Sequence, residues 1–118
     1  MPTWLRWFLA VDVLMFATAA LVHAGALMSG LEHANARIAE SVIAAVLFAG
    51  LAGTFAAPAS SRAIGLWAQG FALLGTFVGL FTIAIGVGPR TVFDVTLHAG
   101  MVTLLVAGLV VTAAARVR

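Results

Sequence analysis

The stretch TVFDVTLHAGMVTLLVAGLVVTAAA, from Thr91 to Ala115, decides the fold. It holds no Lys or Arg, and only Asp94 and His98 interrupt its apolar and small residues. A helix needs roughly 20 mostly apolar residues to cross the hydrocarbon core of a bilayer. The stretch therefore reads as a transmembrane helix. An ionisable residue at its centre costs about 2.5–3.5 kcal/mol on insertion scales, so Asp94 and His98 need a reason to be there.

Three further runs of the same kind precede it, from about Trp4 to Met28, Ala34 to Ala57 and Ala63 to Val87. At about 1.5 Å per residue, each is long enough to span with some tilt. Breakers separate them: Ser29-Gly30, then Pro58 with Ser60-Ser61, then Gly86, Gly88 and Pro89. Short joints make consecutive helices antiparallel neighbours. The expected fold is thus all-α, a single domain over residues 1–118, built as an integral membrane, up-down four-helix bundle. A cleaved signal peptide is the rival reading of residues 1–28, with Arg6 in its n-region, but Asp12 and the length of the run weigh against it.

Composition agrees. Of 118 residues, 64% are hydrophobic and 8% charged, and mean hydropathy is +1.17, whereas a soluble domain carries about 25% charged residues. The principal partner is lipid. The basic balance comes from six Arg scattered on short joints, which is no nucleic-acid-binding stripe. Cysteine is absent, excluding disulfides, thiolate metal sites, iron–sulfur clusters and thiol catalysis. Richness in Ala, Gly, Val and Arg without Lys suits a GC-rich bacterium, hence a bacterial inner membrane. With both termini cytoplasmic, Arg6, Arg62, Arg116 and Arg118 lie inside against Arg37 and Arg90 outside, as the positive-inside rule asks. Trp4, Trp7 and Trp67 then fall near the cytoplasmic interface.

Polar residues inside the spans carry the functional reading. In this topology His23, Glu40 and His98 come from three helices to one layer of the outer leaflet, within roughly 5 Å of depth. Asp94 lies one turn nearer the surface on the face of His98, where its carboxylate is expected to hold one ring nitrogen. Arg90 continues that ladder outward, and His33, Arg37 and Glu40 share a face of the second helix. Both deep histidines stand in the tripeptide His-Ala-Gly, at residues 23–25 and 98–100. A thinner layer, Asp12 and Gln69, lies toward the cytoplasm, as a buried hydrogen bond or as part of a proton path.

Three uses of the outer layer stay open. His23 and His98 suit the axial pair of a b-type haem, with Asp94 as orienter and Met15, Met28 and Met101 as further donors. With Glu40 the same pair makes a two-His, one-carboxylate site for a divalent metal. Alternatively, intramembrane Glu, Asp and His trade protons for substrate in a small carrier. The plain reading is that these groups hydrogen-bond one another and fix the helices in register, as in an accessory subunit. No Ser, His and acid are spaced for hydrolysis, so no catalytic residue is assigned. Gly75-Thr-Phe-Val-Gly79 is a GxxxG seam, read as tight packing or as the face of a homodimer or larger membrane complex.

The segment FALLGTFVGLFTIAIGVGPRTVFDVTLH, Phe71 to His98, resembles a group of small, uncharacterised bacterial membrane proteins. Its Gly-Val-Gly-Pro-Arg turn at residues 86–90, with Asp94 and His98 downstream, carries the resemblance. Arg37 to Gly53 is similar to the second helix of DoxX-type four-helix proteins, where an acidic residue follows an Arg near the helix start. What the resemblance implies is a four-span bundle with both termini inside, and no set of catalytic residues.

Overall fold

A computed structural model of the chain describes residues 2–116. Arg118, one of the arginines that set the expected orientation, lies outside them. Four α-helices make up the fold: α1 (Thr3–His23), α2 (Ala34–Ala56), α3 (Ser61–Ala84) and α4 (Val92–Ala114), with a 3₁₀ turn at Pro58–Ser60 before α3. All four are long and apolar enough to cross a membrane. Each packs on the next in sequence, α4 closes on α1, and α1 touches α3 lightly.

One stripe per helix makes the interior. The buried positions of α1 include Leu5, Leu9, Asp12, Phe16, Ala19 and His23. Those of α2 are Glu40, Ile43, Leu47, Gly50 and Thr54, and those of α4 are Asp94, His98, Met101, Leu105, Gly108 and Thr112. Steps of three and four residues keep one face of a helix turned to its neighbours. The outward faces are apolar too: Trp7, Leu14, Phe48, Trp67, Leu74, Phe81 and Val110 all stand exposed. Every one of the deep polar residues sits on a stripe.

Helix ends place those residues. α1 stops at His23, short of the expected Met28. Gly25 takes φ +78°, and the Gly25 and Ala26 amides donate back to Val22 and Leu21, a Schellman stop. α3 ends the same way, with Gly86 at φ +83° and Gly86 and Val87 amides on Ile83 and Thr82. α4 begins with a capping box: the Asp94 amide donates to Thr91 Oγ1, and the Thr91 amide to Asp94 Oδ2, both at 3.1 Å. At the opposite end, Arg6 donates to the Thr54 carbonyl at 2.9 Å and Arg62 to that of Ala113 at 2.7 Å. Cations there meet the C-terminal carbonyls of α2 and α4, where the helix dipole favours them.

α2 and α3 cross closely at Gly50. A methyl group built on Gly50 would lie 2.7 Å from the Ala68 Cβ, and neither is the end of a flexible side chain. Gly50→Ala is expected to cost about 1–3 kcal/mol by forcing the helices apart. Denaturant titration in mixed micelles measures it. A loss indistinguishable from zero would mean that the crossing yields freely.

Candidate functional site

His23 is the hub. As the last residue of α1 it reaches across to the second turn of α2 and the first turn of α4. Its Nδ1 is 2.7 Å from Glu40 Oε2, and its Nε2 is 2.7 Å from Asp94 Oδ1. All three side chains are buried. Each short N···O contact requires a hydrogen between its atoms, while a neutral imidazole carries only one N–H. The triad thus holds either an imidazolium between two carboxylates, or a neutral ring between one carboxylic acid and one carboxylate. Both forms carry one net negative charge.

Asp94 has two tasks. One oxygen meets His23; the other accepts from the Thr91 hydroxyl and amide that cap α4. It forms no ion pair with Arg90: among the described residues the acid–base contacts are those of His23. The expected Arg90–Asp94–His98 ladder is therefore not made. Thr91 is absent from the expected site residues, although Thr-x-x-Asp is a readable cap signal.

His98 stands differently from the expectation. Its Nδ1 lies 2.7 Å from the backbone carbonyl of Asp94, not from that residue's carboxylate. A carbonyl only accepts, so Nδ1 carries the hydrogen and Nε2 is the ring's open position. A Cβ built on Gly79 would lie 3.0 Å from this Nε2. The absent side chain of Gly79 is what admits the ring. Gly75 is likewise filled within the chain, by Ile43 at 2.7 Å from its built Cβ.

Beside these groups lies a cavity of about 200 Å³. Its wall takes Phe16, Glu40, Ile43, His98 and Met101, together with Gly75 and Gly79. Glu40 belongs to both the triad and this wall: Oε2 meets His23, and the buried Oε1 has no hydrogen-bond partner. His33, expected at the water level, caps α2 by accepting the Ala36 amide at Nδ1, and its Nε2–H faces the Val87 carbonyl at 3.4 Å. That contact joins the α1–α2 and α3–α4 connections over the cavity. Of the three methionines named as donors, Met101 lines the cavity, whereas Met28 is exposed.

The inner polar layer is present but not bonded as expected. Asp12 is fully buried, and neither of its oxygens has a hydrogen-bond partner. Gln69 donates to the Gly65 carbonyl and to Thr112 Oγ1, both at 3.1 Å. Its Oε1 accepts nothing and lies against Gly108.

His23 and His98 thus come to one end of the bundle, but not as a matched pair of ligands. Both nitrogens of His23 are engaged by carboxylates, and only His98 offers an open one. Among the described residues, no three His, Asp or Glu side chains are arranged to hold a metal ion. No protein-family model matches the chain, and no curated protein or solved structure is significantly similar to it. The chemistry has to be read from the site itself.

Proposed function

We infer that the protein is a multi-pass carrier of a bacterial inner membrane, its helices antiparallel in up-down order with both termini cytoplasmic. A small ligand binds in the cavity against Glu40 and His98 and is exchanged for a proton held in the Glu40–His23–Asp94 triad. One observation carries this reading: Glu40 is a member of the triad and of the cavity wall. Ligand and proton then compete for the same carboxylate, which is the requirement for exchange. The apolar outer faces and the arginines Arg6 and Arg62 at one end support the insertion and its orientation. A dimer or larger complex would use the outer surface, since Gly75 and Gly79 face Ile43 and His98 inside the chain.

Proteoliposomes test it. Purified protein, given a panel of small radiolabelled amines, alcohols and carboxylates, is expected to accumulate one class when a pH gradient is imposed. Glu40→Gln is expected to abolish gradient-driven accumulation, because an amide cannot exchange a proton. Wild-type vesicles that accumulate none of the three classes would sink the carrier reading.

A second reading rests on His98. An Nδ1–H bound to a backbone carbonyl with Nε2 open is the usual posture of a histidine that ligates a haem iron or a divalent metal. Such a cofactor would take His98 alone from the expected pair, since His23 joins only by giving up a carboxylate. A Soret band or stoichiometric metal in the purified protein would favour it.

A further inference from the structure

We propose that the cavity takes a small organic ammonium, its N–H groups on His98 Nε2 and Glu40 Oε1 and its apolar body against Phe16, Ile43 and Met101. This rests on the carrier reading for its physiological sense, but a separate observation supports it: where the hydrogens in the wall are spent.

The wall has acceptors to offer and almost no donors. Glu40 Oε1 has no partner, and among the described residues no hydrogen bond reaches His98 Nε2. The hydroxyls that border the cavity have spent their hydrogens: Thr76 donates to the Ala72 carbonyl at 2.8 Å and Thr82 to that of Gly79 at 2.7 Å. The His33 Nε2–H is turned to Val87. Helix-interior N–H groups are committed to carbonyls one turn back, and in the first turn of α2 the Ala36 amide donates to His33 Nδ1 and the Arg37 amide to the His33 carbonyl. The Asn35 amide, exposed near the start of α2, is the one side-chain donor of the lining without a partner. A ligand that brings acceptors finds nothing to bind in the interior of this cavity, and one that brings N–H groups finds two.

Charge selects among donors. In either form the triad carries one net negative charge, and in the imidazolium form Glu40 presents a carboxylate to the cavity. Arg37 and Arg90, the cations nearest in sequence to Glu40 and Asp94, pair with neither. A buried charge without a partner is costly, and a cation brought to it in a dry, apolar surround is held strongly. An alcohol would satisfy the acceptors without answering the charge, and a carboxylate would add to it. The remaining lining of aromatic, aliphatic and thioether groups asks for a short apolar body, not a polyamine.

Benzylammonium, benzyl alcohol and benzoate, matched in shape, are the probes. Calorimetry on the purified protein in detergent at neutral pH is expected to show benzylammonium binding at least about tenfold tighter than the alcohol, with no benzoate binding; tenfold is about 1.4 kcal/mol. Glu40→Gln removes the charge and is expected to erase the preference for ammonium over alcohol. Should that variant fold poorly, Ala39→Trp, placed at an exposed position of the lining, is expected to block benzylammonium while leaving the melting temperature unchanged. Alcohol or benzoate binding as tightly as the ammonium overturns the proposal. So does absent ammonium binding, or ammonium binding that survives both variants. If gradient-driven uptake is found for a non-amine, the carrier reading stands and this inference falls. If ammonium binds tightly and no uptake occurs, this inference stands and the carrier reading falls.

Discussion

His23→Ala is expected to lower the unfolding free energy by about 3–5 kcal/mol, the usual cost of removing one partner from a buried charged pair. The geometry argues for the upper part of that range. The imidazole bridges Glu40 Oε2 and Asp94 Oδ1, at 2.7 Å from each. Without it, two buried carboxylates face a void, and three helices lose their common contact. Asp94 still keeps its Thr91 cap, whereas Glu40 keeps no hydrogen bond at all. Denaturant titration in mixed micelles measures the loss. The variant with leucine at His23, Glu40 and Asp94 together is expected to recover most of it, since a well-packed apolar replacement leaves no charge behind. A loss below about 1 kcal/mol for His23→Ala would mean that the triad does not hold these helices together.

The four helices were legible because insertion is decided by length and mean apolarity, which a single sequence displays directly. Their inward faces were legible for a less familiar reason. In a soluble bundle the buried stripe is the apolar one. Here the outward-facing residues, Leu14, Phe48, Leu74 and Phe81 among them, are as apolar as the core, so hydropathy has no face to show. What marks the inside is the costly residue. Asp12, His23, Glu40, Gln69, Asp94 and His98 all fall on the buried stripes, as the expense of placing them in lipid demands.

Helix ends were less legible, and the site depends on them. His-Ala-Gly occurs twice with opposite results: α1 stops at the first copy, and α4 runs through the second. A basic residue followed by glycine is an ordinary helix-stop signal. After Gly25 the chain soon reaches polar Ser29, Gly30, Glu32 and His33, whereas after Gly100 it continues into Met-Val-Thr-Leu-Leu. Context settled what the tripeptide did not. Ending α1 at His23 brought that ring within reach of Asp94, and the carboxylate expected to orient His98 was taken by His23 instead. Two histidines of like sequence thereby differ in use, one closed at both nitrogens and the other open at Nε2.

Asp12→Leu is expected to change stability in the opposite direction, raising the unfolding free energy by about 1–3 kcal/mol, the desolvation cost of a buried polar group without a partner. Asp12 sits on the α1 stripe between Leu9 and Phe16, fully buried, and neither oxygen has a hydrogen-bond partner. Leucine has the same number of side-chain heavy atoms in the same branching and would pack among the leucines already there. Packing alone therefore gives this position no reason to be an acid. The proton-path reading does: a group that gains and loses a proton in the inner half of the bundle would link the outer triad to the cytoplasmic side. The same variant is then expected to slow pH-driven solute uptake several-fold while melting at a higher temperature. Asp12→Asn, polar but unable to carry the proton, is expected to match it in transport and to fall between the two in stability. Unfolding titrations and proteoliposome uptake on one set of samples separate the cases. A destabilised Asp12→Leu would show that the carboxyl is satisfied and structural, and a stabilised variant with undiminished uptake would take Asp12 out of the proton path.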